Sequence, residues 1–157
     1  MIYSSQDNQY HVTLSNEGLG AILKHIKKAG SHETGGILIG AYNEDRSTAI
    51  VNTISGAPTD SKHGSTWFQR GLKGLQKLLN SLWGAGEYYL GEWHFHPNAS
   101  PSPSFQDITQ MKAISESLAY RCPEPILLII GGNHKNFQIR VFLAIRSNNF
   151  IELKEPN

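Results

Sequence analysis

Gly91-Glu92-Trp93-His94-Phe95-His96-Pro97 is read first, because the rest of the chain can be placed around it. Residues 88–95 have the composition of a buried strand. Alternate strand residues point to opposite faces, so His94 and His96 share one face and Trp93 and Phe95 the other. Pro97 ends the strand and opens the sheet there. Three prolines in residues 97–103 predict an irregular loop. Ser104 and Asp107 then stand as Ser-x-x-Asp at the head of a predicted helix that reaches about Tyr120. Its inward residues are expected to be Ile108, Met111, Ile114 or Ser115, and Leu118, and Pro123 and Pro125 close it.

Upstream, residues 10–14 alternate like a strand, and Ser15 reads as a helix N-cap with Leu14 and Leu19 as a hydrophobic staple. Leu19, Ile22, Leu23 and Ile26 recur at helical spacing. Lys27 and Lys28 suit the C-terminal end, and Gly30 stops the helix. Residues 31–36 read as a turn. Residues 37–42 and 48–54 follow as a hairpin with a longish polar loop. Residues 55–66 are predicted loop throughout. Thr66 and Gln69 suggest a capping box for a helix ending at Gly84, with Phe68, Leu72, Leu75, Leu79 and Leu82 on one face.

Downstream, Ile126 to Ile130 reads as a fully buried strand. Gly131 to His134 turns it into an alternating strand over 136–146, and a last short strand covers 150–153. Helices and strands interleave, so the expected class is α/β or α+β: one domain over residues 1–157, a single mixed sheet flanked by helices. No Gly-x-Gly-x-x-Gly follows a strand, which argues against a dinucleotide fold.

The bulk composition excludes several classes. Of 157 residues, 39% are apolar and 17% charged, a globular balance rather than a disordered one. The formal charge is +1 and no basic run exceeds Lys27-Lys28, so no nucleic-acid partner is expected. The aliphatic run at 126–130 is too short for a bilayer, and Met1 to Asp7 carries no secretion signal, so neither a membrane nor export is expected. A lone cysteine, Cys122, suits a reducing cytosol and reads as a plain buried or loop thiol.

Two histidines on one face can converge on a metal ion. A catalytic ion usually takes three protein ligands and a water. No cysteine lies nearby, and Asp107 can return over the histidines after the proline loop; two nitrogens and a carboxylate favour Zn2+. Zinc brings the pKa of bound water to about 7, leaving a need for a general base and an oxyanion donor. Ser104 is the candidate donor. Glu33 is the candidate base, and Glu92, on the face of the histidines, is its competitor. Ser104-x-x-Asp107 is also a capping box in its own right, and the two readings are compatible.

Glu33, then His94-x-His96-Pro97, six residues, Ser104, two residues and Asp107 resembles the JAMM motif of the JAB1/MPN/Mov34 metalloproteases. Glu33 also lies in a matching Glu-x-Gly-Gly setting before a strand, and the resemblance covers roughly residues 10–146. One departure is Phe95, where eukaryotic members usually carry Ser or Thr; it is expected to point away from the metal. The resemblance implies a JAB/MPN (cytidine-deaminase-like) fold, with His94, His96 and Asp107 on zinc. It also implies Glu33 as the base, in preference to Glu92, with Ser104 supporting the tetrahedral intermediate. Such enzymes hydrolyse isopeptide or peptide bonds at the C-terminal tail of ubiquitin or a ubiquitin-like protein.

The wording around His94 is similar to the bacterial branch, and more narrowly to the deconjugating peptidases of CBASS anti-phage operons. Those are encoded beside E1/E2-like proteins and release a CD-NTase, a cyclic-nucleotide synthase, from its target. The alternatives are a peptidase maturing a ubiquitin-like sulfur carrier, or a non-catalytic scaffold of the same fold. A substrate tail is expected along an exposed strand edge, with residues 55–66 and 97–103 as candidate clamps. His32 and His63 are not expected as ligands. His11, His25 and His134 read as surface or packing residues, and Trp67 and Trp93 as core or groove wall.

Overall fold

An apolar run with no polar face must be covered on both sides. Residues 126–130 meet that demand inside the sheet of the computed structural model, which describes residues 1–146 and 149–157. The elements are β1 (Ile2–Ser4), β2 (His11–Leu14), α1 (Asn16–Ala29), β3 (Thr34–Tyr42), β4 (Thr48–Ile54), β5 (Lys62–His63), β6 (Phe68–Gln69), α2 (Leu75–Trp83), β7 (Tyr88–Pro97), α3 (Phe105–Glu116), β8 (Ile126–Gly132), β9 (Phe137–Ile145) and β10 (Asn149–Leu153). The main sheet has eight strands in the order β1-β2-β4-β3-β7-β8-β9-β10, and β5 and β6 form a separate ribbon. Within the main sheet β2–β4 and β7–β8 are parallel and the other neighbours antiparallel. The fold is mixed α+β, a large sheet flanked by helices, as the interleaving of elements implies.

Alternation divides the core in two. One face buries Leu14, Leu38, Trp93, Phe95 and Leu128 with Ile22 and Ile26 of α1. The other buries Ile37, Ile39, Leu127 and Ile129 with Leu75 of α2 and Met111 and Ile114 of α3. Phe95 thus lies on the face away from α3. Helix α1 keeps its expected ends: the Ser15 hydroxyl accepts the Gly18 N–H at 2.9 Å, and Gly30 terminates it. The two edge strands approach each other, since Ser4 and Lys154 exchange N–H···O bonds of 2.8 and 2.9 Å. Among the described residues no helix is long and apolar enough to cross a membrane.

Four expectations need correction. The helix expected from Thr66 starts only at Leu75, and Phe68 and Gln69 pair with His63 and Lys62 inside a stretch that includes part of the expected loop. Side chains upstream take the donors a helix would have used: Gly71 N–H goes to Ser61 Oγ, and Leu72 and Lys73 N–H go to the Asp60 carboxylate. Leu72 is 69% exposed rather than inward. Helix α3 ends at Glu116, leaving Leu118 82% exposed, because Ser115 Oγ donates to Pro123 O at 2.6 Å and the chain turns back there. Thr34, Gly35 and Gly36 belong to β3 and not to a turn, and β8 runs on through Gly132, so its turn centres on Asn133–Asn136. Strand β1 was not anticipated from the sequence.

One further irregularity matters for the site. The register of β3 on β7 steps from Leu38↔Gly91 to Ile39↔Tyr89, so Leu90 is an extra residue in β7. A bulge of this kind re-aims its neighbours. Tyr89 and Glu92, three apart, come to one face, and the Tyr89 hydroxyl donates to Glu92 Oε1 at 2.7 Å.

Candidate metal centre

The C-terminal half of β7 delivers His94 and His96 to the α3 side of the sheet. The loop after Pro97 then lies across β8. Asn98 N–H donates to Gly132 O at 2.8 Å, and a Cβ at Gly131 would stand 2.3 Å from Ala99 O, so only glycine admits the crossing. The loop feeds α3, whose first turn is fixed by a reciprocal capping box. Ser104 Oγ accepts Asp107 N–H at 3.0 Å, and Ser104 N–H donates to Asp107 Oδ2 at 2.8 Å.

Asp107 is thereby aimed at the histidines. Its Oδ1 lies 3.0 Å from His94 Nδ1 and its Oδ2 lies 3.7 Å from His96 Nε2. Burial opposes ionisation of Asp107, but the hydrogen bond and attraction of His94 and the capping bonds from Ser104 outweigh it and hold the carboxyl at about 2. A carboxylate can only accept, so His94 Nδ1 supplies the hydrogen of this bond, and Nε2 is the ring's other nitrogen. That Nε2 is the one buried side-chain N or O atom without a partner among the described residues. His96 is held below the usual imidazole range by burial, only partly offset by Ser100 O, 3.3 Å from Nδ1, and by Asp107.

Glu33 immediately precedes β3, the next strand. The pairs Thr34↔Phe95 and Gly35↔His94, continued one step, set it level with His96. Its N–H donates to Gly64 O at 2.8 Å. Burial, then the Asp107 carboxylate, push the Glu33 carboxyl up to about 7, with His94 pulling the other way. Beside it Gly35 allows β3 to approach closely: a Cβ there would meet Trp93 O at 2.3 Å and the Phe68 ring at 2.9 Å. Phe68 stands edge-on to His94, ring centroids 5.6 Å apart.

Glu92 is disposed of by a partner the sequence reading missed. It is fully buried, and Arg70 grips it at 2.6 and 2.9 Å through Nε and Nη2. Arg70 also donates to Tyr120 Oη at 3.1 Å. With Tyr89 as a further donor, Glu92 has its charge matched and its oxygens occupied, which does not suit a base. A carboxylate inside an apolar strand was the available signal, since a buried charge requires a partner. His32 and His63 are exposed and stack edge-on at 5.4 Å; Trp93 is core, its Nε1 donating to Ser55 O. Cys122 is buried, as read, and burial pushes its thiol up to about 12.

His94, His96 and Asp107 contact one another here and do not surround a common point as a preformed cage among the described residues. Their donor chemistry nevertheless fits a divalent ion: a buried imidazole nitrogen with no partner, an imidazole disfavoured for protonation, and an ionised carboxylate.

The sequence profile of the prokaryotic homologues of the JAB domain matches residues 15–144. A "CD-NTase/cGAS isopeptidase" of Enterobacter hormaechei subsp. hoffmannii is 41% identical over 98% of this chain and 86% of its own. A "Probable metalloprotease y4qB" of Sinorhizobium fredii is 27% identical over 74% of this chain and 73% of its own. The solution structure of protein DSY2949 from Desulfitobacterium hafniense superposes with a TM-score of 0.66 over 90% of this chain and 88% of that one, at 20% identity, a likeness of fold alone.

Proposed function

The chain belongs to the family of prokaryotic JAB-domain homologues, and from that membership we propose that it is a zinc-dependent isopeptidase that cuts the bond after the C-terminus of a conjugated CD-NTase. The observation that carries the site assignment is the buried, unpartnered His94 Nε2 beside an ionised Asp107. His94, His96 and Asp107 would hold the ion. When bound, zinc supplies Lewis-acid polarisation of the scissile carbonyl and of the attacking water.

The side chains do the rest. Glu33, half-buried and brought to about 7, takes a proton from the attacking water and returns it to the departing amine. The Ser104 oxygen accepts from Asp107 N–H, and its own hydroxyl hydrogen, which the Asp107 carboxylate attracts in the resting site, turns to the developing oxyanion. The substrate assignment is supported by three similar proteins that bear the name CD-NTase/cGAS isopeptidase. Such a conjugate requires amide-forming ligation of the E1/E2 type upstream.

The test is incubation with a CD-NTase amide-linked through its C-terminus to a lysine peptide, with and without a chelator. Mass spectrometry should find the free CD-NTase carboxylate only without chelator, restored by added zinc. Cleavage that survives chelation, or a cut elsewhere in the chain, sinks the proposal.

A further inference from the structure

Phe68 and Arg70 are two residues apart, as are His94 and Glu92 on β7. Such spacing puts both members of each pair on one side of an extended chain. The pairs meet face to face: Phe68 stands against the His94 ring, and Arg70 grips Glu92. The ribbon that bears Phe68 is the same one whose Gly64 carbonyl receives the Glu33 N–H, and Gly64 N–H in turn donates to Trp67 O at 2.9 Å. Its other ties, from Asp60 and Ser61 to residues 71–73, are local to its own stems and half-exposed or exposed. Among the described residues Arg70 alone, its side chain 3% exposed, fixes it to the main sheet by a charged pair.

We propose that the buried Arg70–Glu92 pair is the anchor that seats the β5–β6 ribbon on β7 and, through Gly64 and Phe68, positions Glu33 and His94. Arg70 and Glu92 are then positioning residues, and their part in cleavage rests on the isopeptidase reading. The bidentate grip matters more than the charge. A fork on a carboxylate fixes direction as well as distance, which a lysine or an apolar contact does not. The bulge at Leu90 serves the same end, since it brings Tyr89 round to hold Glu92 from the other side.

Two variants test this, Arg70→Lys and the double Arg70→Met/Glu92→Met. The second removes both charges together, a change that buried pairs tolerate in stability, so it carries the test should Arg70→Lys fold poorly. Amide exchange is followed in zinc-free and zinc-loaded protein. In both variants Glu33 and Gly64 should exchange at least about tenfold faster while β8 stays protected. On the CD-NTase–lysine peptide conjugate, kcat should fall about tenfold or more with KM within about threefold, as expected for a misplaced group. Unchanged exchange in both variants overturns the anchor, and faster exchange with unchanged kcat overturns its part in cleavage. A wild-type chain that cleaves nothing overturns the isopeptidase reading instead, while the exchange rates still decide whether the pair is the anchor.

Discussion

Glu33 and Glu92 are both carboxyls beside the candidate centre, and their environments separate them. Glu33 has a proton affinity brought to about 7 by burial and by Asp107, whereas Glu92 is locked to Arg70. Glu33→Gln keeps the shape and removes the proton acceptor, so cleavage should fall by about a hundredfold or more, with zinc content unchanged by elemental analysis. His94→Ala and Asp107→Ala should instead lose the zinc, and stoichiometric zinc in either would show the ligand set to be wrong. Cys122, with its thiol pushed up to about 12, stays protonated at pH 8. Iodoacetamide should label it only after denaturation, since the thiolate is the reactive form. At this scale the sequence was informative because spacing is local: His94 and His96 share a face whatever the sheet around them does. It was blind to Arg70, whose partner lies in another element and whose own segment carries helical spacing.

Between elements, the same residue can cap and catalyse, and Ser104 is where the two must be told apart. Its oxygen closes the α3 capping box on Asp107 N–H. Replacing an N-cap serine by alanine costs about 1 kcal/mol, and by glycine only a few tenths. Denaturant unfolding should therefore rank Ser104→Ala below Ser104→Gly. Initial rates on the conjugate should fall equally in both, because both lack the hydroxyl; rates that follow stability would reduce Ser104 to a cap. The end signals of α1 and the start of α3 were legible because a cap is a short-range pattern. The start of α2 was not. Thr66-x-x-Gln69 has the right letters, but Asp60 and Ser61 capture the downstream donors, and side chains several residues away do not register in a four-residue pattern. The bulge at Leu90 was invisible for a related reason: Gly91 hints at it, but the extra residue exists only relative to β3.

Over the whole molecule, the candidate site sits where β3, β7 and the head of α3 meet, at the middle of the strand order, while the two edge strands touch far from it in that order. The mixed sheet was readable from interleaved helical and strand periods. The meeting of its edges was not, since it joins Ser4 to Lys154 across nearly the whole chain and depends on accumulated twist rather than on any local pattern. Its worth can be measured. Lys154 N–H has Ser4 O as its partner at 2.9 Å, and Lys154→Pro deletes that donor. The residue before a proline is biased to extended conformations, which Leu153 already has as the last residue of β10, so the substitution brings no conflict there. Lys154→Ala keeps the N–H and serves as the reference. Lys154→Pro should unfold about 1 kcal/mol more easily than Lys154→Ala, the net value of one backbone hydrogen bond. Because Lys154 touches none of β3, β7 or α3 through that bond, cleavage rates of the two variants should agree. Equal stability would mean that the edges merely lie side by side and the sheet stands open, with β1 and β10 left as free edges at which a substrate tail could add a strand.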